Sequence, residues 1–236
     1  MADDYDRAKD EDKTDEKTGL PIRDPAEVEK DKGKNSFMPF IFIPIALGIG
    51  YGIAYAIYAF GDTTKYDARI ALAKEYDGQW LMLALALFQT TVIWMNLYPM
   101  RYKAGIMSGK AGNLRANMFI YKLATDTAEE GSAVVMHSEG DLGRYNRANR
   151  SIYHYLENSL GLIASLPLSF FLFPLPTFVL LCVFCLGRVV YQLGYTAKGY
   201  GGHGLGFLLD RVATLSIAGL MILAYTKTFT SSASVE

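Results

Sequence analysis

The sequence predicts an all-α integral membrane protein, in which a helical bundle of five membrane spans follows a charged tail. Of the 236 residues, 51 % are hydrophobic and 20 % are charged, and the charges are concentrated outside a few long apolar runs. About 20 helical residues cross the roughly 30 Å of hydrocarbon in a bilayer, and five runs reach that length. A soluble helical fold is disfavoured because soluble helices of this length keep a polar face.

Residues 1–36 hold 12 acidic and 8 basic side chains and almost no large apolar ones. Such a segment buries too little surface to offset its conformational entropy, so it is predicted to be a disordered cytoplasmic tail. Its acidic composition excludes a transit peptide, and the apolar run that follows is too late and too long for a secretory signal.

The five apolar runs are each predicted to form one transmembrane helix. A proline turn, Phe173-Pro174-Leu175-Pro176, separates the third from the fourth, since proline suits the first turn of a helix. The segment 61–78 is predicted to be a loop, and 227–236 a C-terminal tail. The predicted spans are 37–60, 79–100, 152–172, 174–197 and 205–226.

The span 37–60 carries Gly48, Gly52 and Ala56 at four-residue intervals. This stripe of small residues would allow close approach of a helix, either from the same subunit or from a partner. Between the second and third spans, residues 113–122 are predicted to form a short amphipathic helix at the membrane surface, and 139–143 a turn.

Lysine and arginine are distributed unequally between the two sides of these spans. The tail, the 101–149 segment and the 198–204 loop carry sixteen of them, against four in the alternate segments. The positive-inside tendency therefore predicts a cytoplasmic N-terminus.

Two features that resemble cofactor motifs are interpreted as structural. Cys182 and Cys185 lie inside the fourth span among apolar neighbours, so they are interpreted as small hydrophobic residues and not as redox or metal ligands. The glycines of 199–204 follow no strand, so they indicate a flexible link and not a phosphate-binding loop. No metal site and no nucleic-acid partner is predicted.

Polar side chains share one helical face at the start of the third span and again at the end of the fourth. Arg150, His154 and Glu157 are spaced i, i+4, i+7, and ionisable residues at membrane depth often line a polar cavity. Arginine suits carboxylates, glutamate suits an ammonium group, and tyrosine hydroxyls suit a thiolate. Glutathione offers all these groups. The competing interpretation is an ion-pair network of Arg150, Glu157 and Arg188 that only joins helices.

Both sets of residues resemble motifs of the MAPEG family, the membrane-associated proteins in eicosanoid and glutathione metabolism. The family's Arg, Asn, Glu pattern is matched by Arg150, His154 and Glu157, with Asn158 following. The family's Arg, Tyr, Tyr pattern is matched by Arg188, Tyr191 and Tyr195. The resemblance covers about residues 79–226 and leaves the N-terminal span 37–60 as an addition.

The resemblance implies a four-helix subunit at 79–226 that assembles as a homotrimer in the endoplasmic reticulum or another organellar membrane. It implies a glutathione-dependent transferase or peroxidase that uses glutathione as co-substrate and acts on lipophilic electrophiles arriving from the bilayer. The residues implied to bind glutathione are Arg147, Arg150, His154, Glu157, Asn158, Arg188, Tyr191 and Tyr195.

Two positions depart from the family pattern. His154 stands where the family has asparagine, and His203 where family transferases have an arginine that stabilises the thiolate. Histidine changes charge near neutral pH whereas arginine stays charged, so activation by His203, with Tyr195, would depend on protonation. The alternative is a non-catalytic, MAPEG-like lipid-binding protein or accessory subunit of a larger membrane complex. His203, the additional span and the charged tail favour that alternative.

Overall fold

A computed structural model describes residues 22, 24–107, 118–124 and 133–230, most of which are helical. The predicted all-α membrane bundle is confirmed. The helices are α1 (Pro25–Ser36), α2 (Met38–Phe60), α3 (Thr63–Glu75), α4 (Gln79–Leu97), α5 (Met100–Met107), α6 (Gly140–Leu172), α7 (Pro174–Lys198) and α8 (Gly204–Thr230), with a hairpin of β1 (Tyr121–Ala124) and β2 (Ala133–Met136).

Five helices in the described ranges are long and apolar enough to cross a membrane. They coincide with the five predicted runs and make the chain a multi-pass integral membrane protein. Helix α6 continues through Pro167 to Leu172. Pro174 lies in the first turn of α7, so the proline segment separates the third span from the fourth, as predicted.

The structure differs from the sequence predictions in four segments. Helix α1 lies within the tail that was predicted to be disordered, and the rest of that tail, 1–21 and 23, falls outside the described residues. The 61–78 loop contains α3, which Asp62 caps by accepting a hydrogen bond from the Lys65 amide at 3.1 Å. The third span extends back to Gly140, so the predicted turn at 139–143 forms the start of α6.

The fourth difference is the predicted surface helix at 113–122. Its described part, from Met118 onward, is irregular chain followed by strand β1, and β1 pairs antiparallel with β2. Alternating hydrogen bonds to a neighbouring strand have replaced the helical pattern that the amphipathic sequence indicated. Residues 113–117 lie outside the described residues, as does the C-terminal tail from 231.

The described chain forms two compact units, Met1–Ile41 with Met95–Ile152, and Phe42–Trp94 with Tyr153–Glu236. In the first unit the hairpin is attached to α6 through a buried asparagine. The Asn146 side-chain amide donates to the carbonyl oxygens of Ile120 and His137 at 2.7 and 2.8 Å, and its oxygen accepts from the Ile120 amide at 2.9 Å. These bonds satisfy backbone groups at the ends of the hairpin.

In the second unit, glycines bring α7 and α8 into close backbone contact. A Cβ atom on Gly206 would collide with the backbone nitrogen of Tyr191, and one on Gly187 would lie 2.8 Å from the backbone nitrogen of Asp210. Small residues permit this approach within membranes. The contact matters for the site because it places Arg188 of α7 opposite Asp210 of α8.

Helices α6 and α7 are joined at the end near the proline turn and again in mid-span. The hydroxyl oxygens of Ser169 and Thr177 lie 2.6 Å apart in a buried hydrogen bond. Deeper in the unit, the rings of Tyr155 and Phe184 pack with centroids 6.1 Å apart, and Phe88 of α4 packs against both. Helix α7 is thereby fixed on the sides that face α4, α6 and α8.

Candidate functional site

Three helices each contribute one polar side chain to a buried centre in the second unit. Arg188 of α7 donates from Nη1 to Oδ2 of Asp210 on α8 at 2.7 Å, and the same nitrogen lies 3.0 Å from Nδ1 of His154 on α6. Neither Arg188 nor Asp210 has any exposed side-chain surface. Buried charges are retained in membranes when they are paired in this way, so the pair accounts for an aspartate inside an apolar helix.

The contact with Arg188 also fixes the state of the His154 ring. A guanidinium group only donates hydrogen bonds, so Nδ1 must accept. The proton of the neutral ring therefore resides on Nε2, which is left as a donor. The ring stacks on Tyr191 with centroids 4.8 Å apart and an interplanar angle of 6°. His154 thus keeps the hydrogen-bond donor that an asparagine would supply at this position.

Aromatic rings enclose the Arg188 guanidinium. Its central carbon lies 4.7 Å from the ring centroid of Tyr191 and 5.4 Å from that of Tyr155. Cation–π contacts of this kind strengthen when water is excluded. Arg188 is therefore held in position by two rings, one carboxylate and one imidazole.

Asp210 bridges two arginines. Its Oδ1 accepts from Nη2 of Arg211 at 2.7 Å and lies 3.4 Å from the hydroxyl of Thr214. Arg211 differs from Arg188 because 28 % of its side chain is exposed. Its guanidinium lies 5.6 Å from the centroid of the Phe207 ring. The ion-paired group of Arg188, Asp210 and Arg211 has two positive charges and one negative charge.

His203, immediately before α8, lies among aromatic rings. Its ring centroid is 5.0 Å from that of Tyr191, 5.5 Å from Tyr195 and 5.4 Å from Tyr200. Its Nδ1 is buried and has no hydrogen-bond partner among the described residues. The family resemblance implied that Tyr191, Tyr195 and His203 belong to one site, and the rings of the three residues are in contact.

The remaining predicted site residues have different environments. Glu157 is exposed on α6, and the Asn158 side chain donates to the backbone oxygen of His154 at 2.7 Å. In the first unit, Arg147 donates to the backbone oxygen of Ser138 at 2.7 Å, and Arg150 is exposed. The structure therefore brings together His154, Arg188, Tyr191, Tyr195 and His203.

The sequence interpretation assigned no role to Asp210 and Arg211, an adjacent charged pair inside the fifth predicted span. The competing interpretation placed Arg188 in an ion-pair network with Arg150 and Glu157, whereas in the structure Arg188 forms an ion pair with Asp210. A signal was available, since an adjacent Asp and Arg in an otherwise apolar span require partners at membrane depth. Identifying that partner needed the α7–α8 contact.

The family model for the MAPEG family matches residues 80–223, which include α7 and the whole polar centre. The chain belongs to the MAPEG family. No curated protein and no solved structure matches it. The resemblance seen in the two motifs is confirmed, and with it the assignment to a family of membrane proteins that includes glutathione transferases and related proteins.

Proposed function

We propose that this MAPEG protein is a glutathione-dependent membrane transferase or peroxidase acting on lipophilic electrophiles. The main support is that residues from the two sequence motifs, on different helices, are in contact. His154 from the first motif and Arg188 and Tyr191 from the second form one hydrogen-bonded and stacked cluster. Motif residues on separate helices that converge in this way support a shared site.

The proposed roles divide according to exposure. Arg188 and Tyr191 are buried, so they orient the site: Arg188 fixes the His154 ring, which presents its Nε2 proton to a ligand. Exposed Glu157 is proposed to hold the ammonium group of glutathione. Contacts from the remaining motif residues are proposed on the family resemblance, namely Arg147, Arg150, Asn158 and Tyr195.

In the proposed reaction the thiol of glutathione must lose its proton. A free thiol of this kind ionises near pH 8.5, so nearby donors and positive charge must favour the thiolate at neutral pH. Tyr195 and His203, whose rings are in contact, are proposed to supply those donors. The thiolate sulfur then attacks the electrophile, which enters from the bilayer, and the leaving group departs.

We propose that the protein forms a homotrimer in the endoplasmic reticulum or another organellar membrane.

A second function is favoured by one observation. Arg188 already has an ion-pair partner inside the chain, the carboxylate of Asp210, which has no exposed surface. A network of this kind can serve only to join α7 and α8, as in a non-catalytic lipid-binding protein or an accessory subunit of a larger membrane complex.

A titration of the detergent-purified protein with glutathione separates the two functions. The transferase should bind glutathione and conjugate it to a chloronitrobenzene, and Glu157→Ala with Arg188→Ala should abolish turnover. Glu157→Ala alone is the informative variant because the side chain is exposed, so its loss should weaken binding without unfolding. Arg69→Ala, on exposed α3, is the control. Absence of binding by the wild-type protein, or full turnover in the double variant, would contradict the proposal.

A further inference from the structure

The β1–β2 hairpin of the first unit has one apolar face that is exposed. Residues paired directly across two strands point to the same side of a sheet, and so do residues two apart on one strand. The pair Tyr121 with Met136 therefore lies on the opposite face from the pair Lys122 with Val135. The first face carries Tyr121, Val134 and Met136, whose exposed fractions are 56 %, 64 % and 39 %. A two-stranded hairpin is only marginally stable in water, so burial of this face would stabilise it.

The hairpin is attached to α6 close to the point where that helix enters the membrane. Helix α6 has 33 residues and is about 50 Å long, whereas the hydrocarbon of a bilayer is about 30 Å thick. Since its far end, Leu172, adjoins the proline turn, the excess length lies at its start, up to about residue 152. Asn146 binds the ends of the hairpin, and Asn149 donates to the backbone oxygen of Met118 at 2.9 Å. These attachments lie roughly 5–9 Å along the helix from the hydrocarbon, at the level of the lipid headgroups.

The described chain around this attachment, 118–124 and 133–152, has an excess of positive charge. Its four basic and two acidic residues are Lys122, Arg144, Arg147 and Arg150, and Glu139 and Asp141. Lys122 pairs with Glu139 at 3.4 Å and Arg144 with Asp141 at 3.2 Å, so both acids have a basic neighbour. Two further positive charges remain in the balance, and Arg150 is exposed. This excess suits an anionic lipid surface, and the tyrosine beside aliphatic side chains suits the membrane–water interface.

We propose that the apolar face of the hairpin lies in the headgroup interface of an anionic bilayer, with the arginines at the start of α6 near the lipid phosphates. The occupant of the face is thus the surface of the membrane that holds the spans. The membrane-surface position predicted for 113–122 is thereby assigned to a hairpin and not to a helix. This inference goes beyond the proposed function because no part of it requires glutathione.

Nitroxide labels on the two faces of β2 test the proposal in full-length protein. Val134→Cys places a label on the apolar face, and Val135→Cys places one on the opposite face of the same strand. Both variants are made with Cys182 and Cys185 replaced by alanine, and are studied in nanodiscs of phosphatidylcholine and phosphatidylserine. Oxygen concentrates in the bilayer and a nickel chelate in water. The ratio of oxygen to nickel collisions should therefore be several-fold higher for the label at Val134 than for the label at Val135.

Nanodiscs of phosphatidylcholine alone test the contribution of charge. Each positive charge near an anionic surface favours docking by roughly five-fold, so the oxygen preference at Val134 should fall when phosphatidylserine is removed. In the mixed nanodiscs, Arg144→Gln should also lower that preference, because the Arg144 side chain is half exposed next to the hairpin attachment. Arg69→Gln, on exposed α3, should not. An oxygen preference that is unchanged by both the lipid and the Arg144 substitution would overturn the role assigned to the basic residues.

The remaining outcomes decide whether lipid covers the hairpin. Equal collision ratios at Val134 and Val135, or a preference for nickel at Val134, would overturn the proposal. Protection of the Val134 label from both reagents would also overturn it, since protein and not lipid would then cover the face. Spin–spin broadening between labels of neighbouring subunits would identify that cover as a second hairpin. Glutathione takes part in none of these measurements, so failure of the proposed function would be seen separately.

Discussion

Helices α2 and α7 are both long apolar spans, yet they differ in what surrounds them. The most apolar stretch of α2 has no buried residue, whereas 39 % of the corresponding stretch of α7 is buried. Both contain glycines, but a Cβ atom on Gly48 or Gly52 of α2 would meet nothing within 4 Å in the described chain. On α7, a Cβ atom on Gly187 would press against the backbone of α8. Hydropathy therefore identifies a span, and close glycine contacts identify where spans pack.

The polar residues of α7 explain why the difference matters. Arg188 needs a carboxylate at the same depth in a membrane interior, and the close approach of α8 supplies that of Asp210. Helix α2 is apolar throughout and requires no such partner. Substitutions that test the comparison should therefore have large effects on α7 and α8 and small effects on α2 and α3.

The largest effect is expected for Asp210→Ala. Removing the carboxylate leaves Arg188 buried without its ion pair, which typically lowers the free energy of unfolding by about 3–5 kcal/mol. Reversible unfolding in mixed micelles would measure the change. Asp67→Ala is the control, because Asp67 is exposed and accepts a hydrogen bond from the exposed Tyr58 hydroxyl at 2.7 Å. Equal stability of the two variants would show that Arg188 does not depend on Asp210.

A smaller contrast is expected between Gly206→Ala and Gly52→Ala. The added methyl group on Gly206 would collide with the Tyr191 backbone, and overpacking costs about 1–3 kcal/mol. On Gly52 the methyl group meets open space within the described chain, so stability should change by less than about 1 kcal/mol. Thermal unfolding of both proteins tests this contrast. The comparison fails if alanine is tolerated equally at the two positions.

The smallest effect concerns the Asp62 cap of α3, outside the membrane spans. The Lys65 side chain and its backbone amide both bond Asp62 and hold the pKa of that carboxyl below 3.8, its ordinary value. A lowered pKa means that the cap contributes stability above about pH 4 and loses it as the pH falls through the folded-state value. The Lys65 amide resonance should shift over that acidic range. Asp62→Asn should cap α3 without the pH dependence, and an unchanged titration in that variant would exclude Asp62 as its source.

Sequence reasoning predicted the spans because each needs only a local property, the length of an apolar run. It mistook the described part of 113–122 for helix because strand β1 is decided by pairing with β2, a contact that no local pattern contains. Likewise, α1 lies in a segment whose charged composition indicated disorder, and it packs on α5. Tertiary contacts overrode local composition in both segments.

The candidate site was predictable in part. Helical spacing defined one polar face on the third span and one on the fourth, and because these spans are adjacent the two faces were expected to line one pocket; His154 does contact Arg188 and Tyr191. The ion-pair partner of Arg188 was not predicted, because Asp210 is 22 residues further along the chain, on another helix. That pairing depends on Gly187 and Gly206, whose role becomes visible only when α7 and α8 are in contact.

The central claim is that the polar centre of α6, α7 and α8 binds glutathione and is more than a structural joint. A ligand that binds the folded state raises its stability, by about 2.7 kcal/mol at a concentration of 100 Kd. Glutathione should therefore raise the Tm of the wild-type protein in a concentration-dependent way. The rise in Tm should be much smaller for the Tyr191→Leu variant, when the Tm of each protein with glutathione is compared with its own Tm without glutathione. A wild-type Tm that does not change with glutathione, or an equal rise in Tyr191→Leu, would contradict the account.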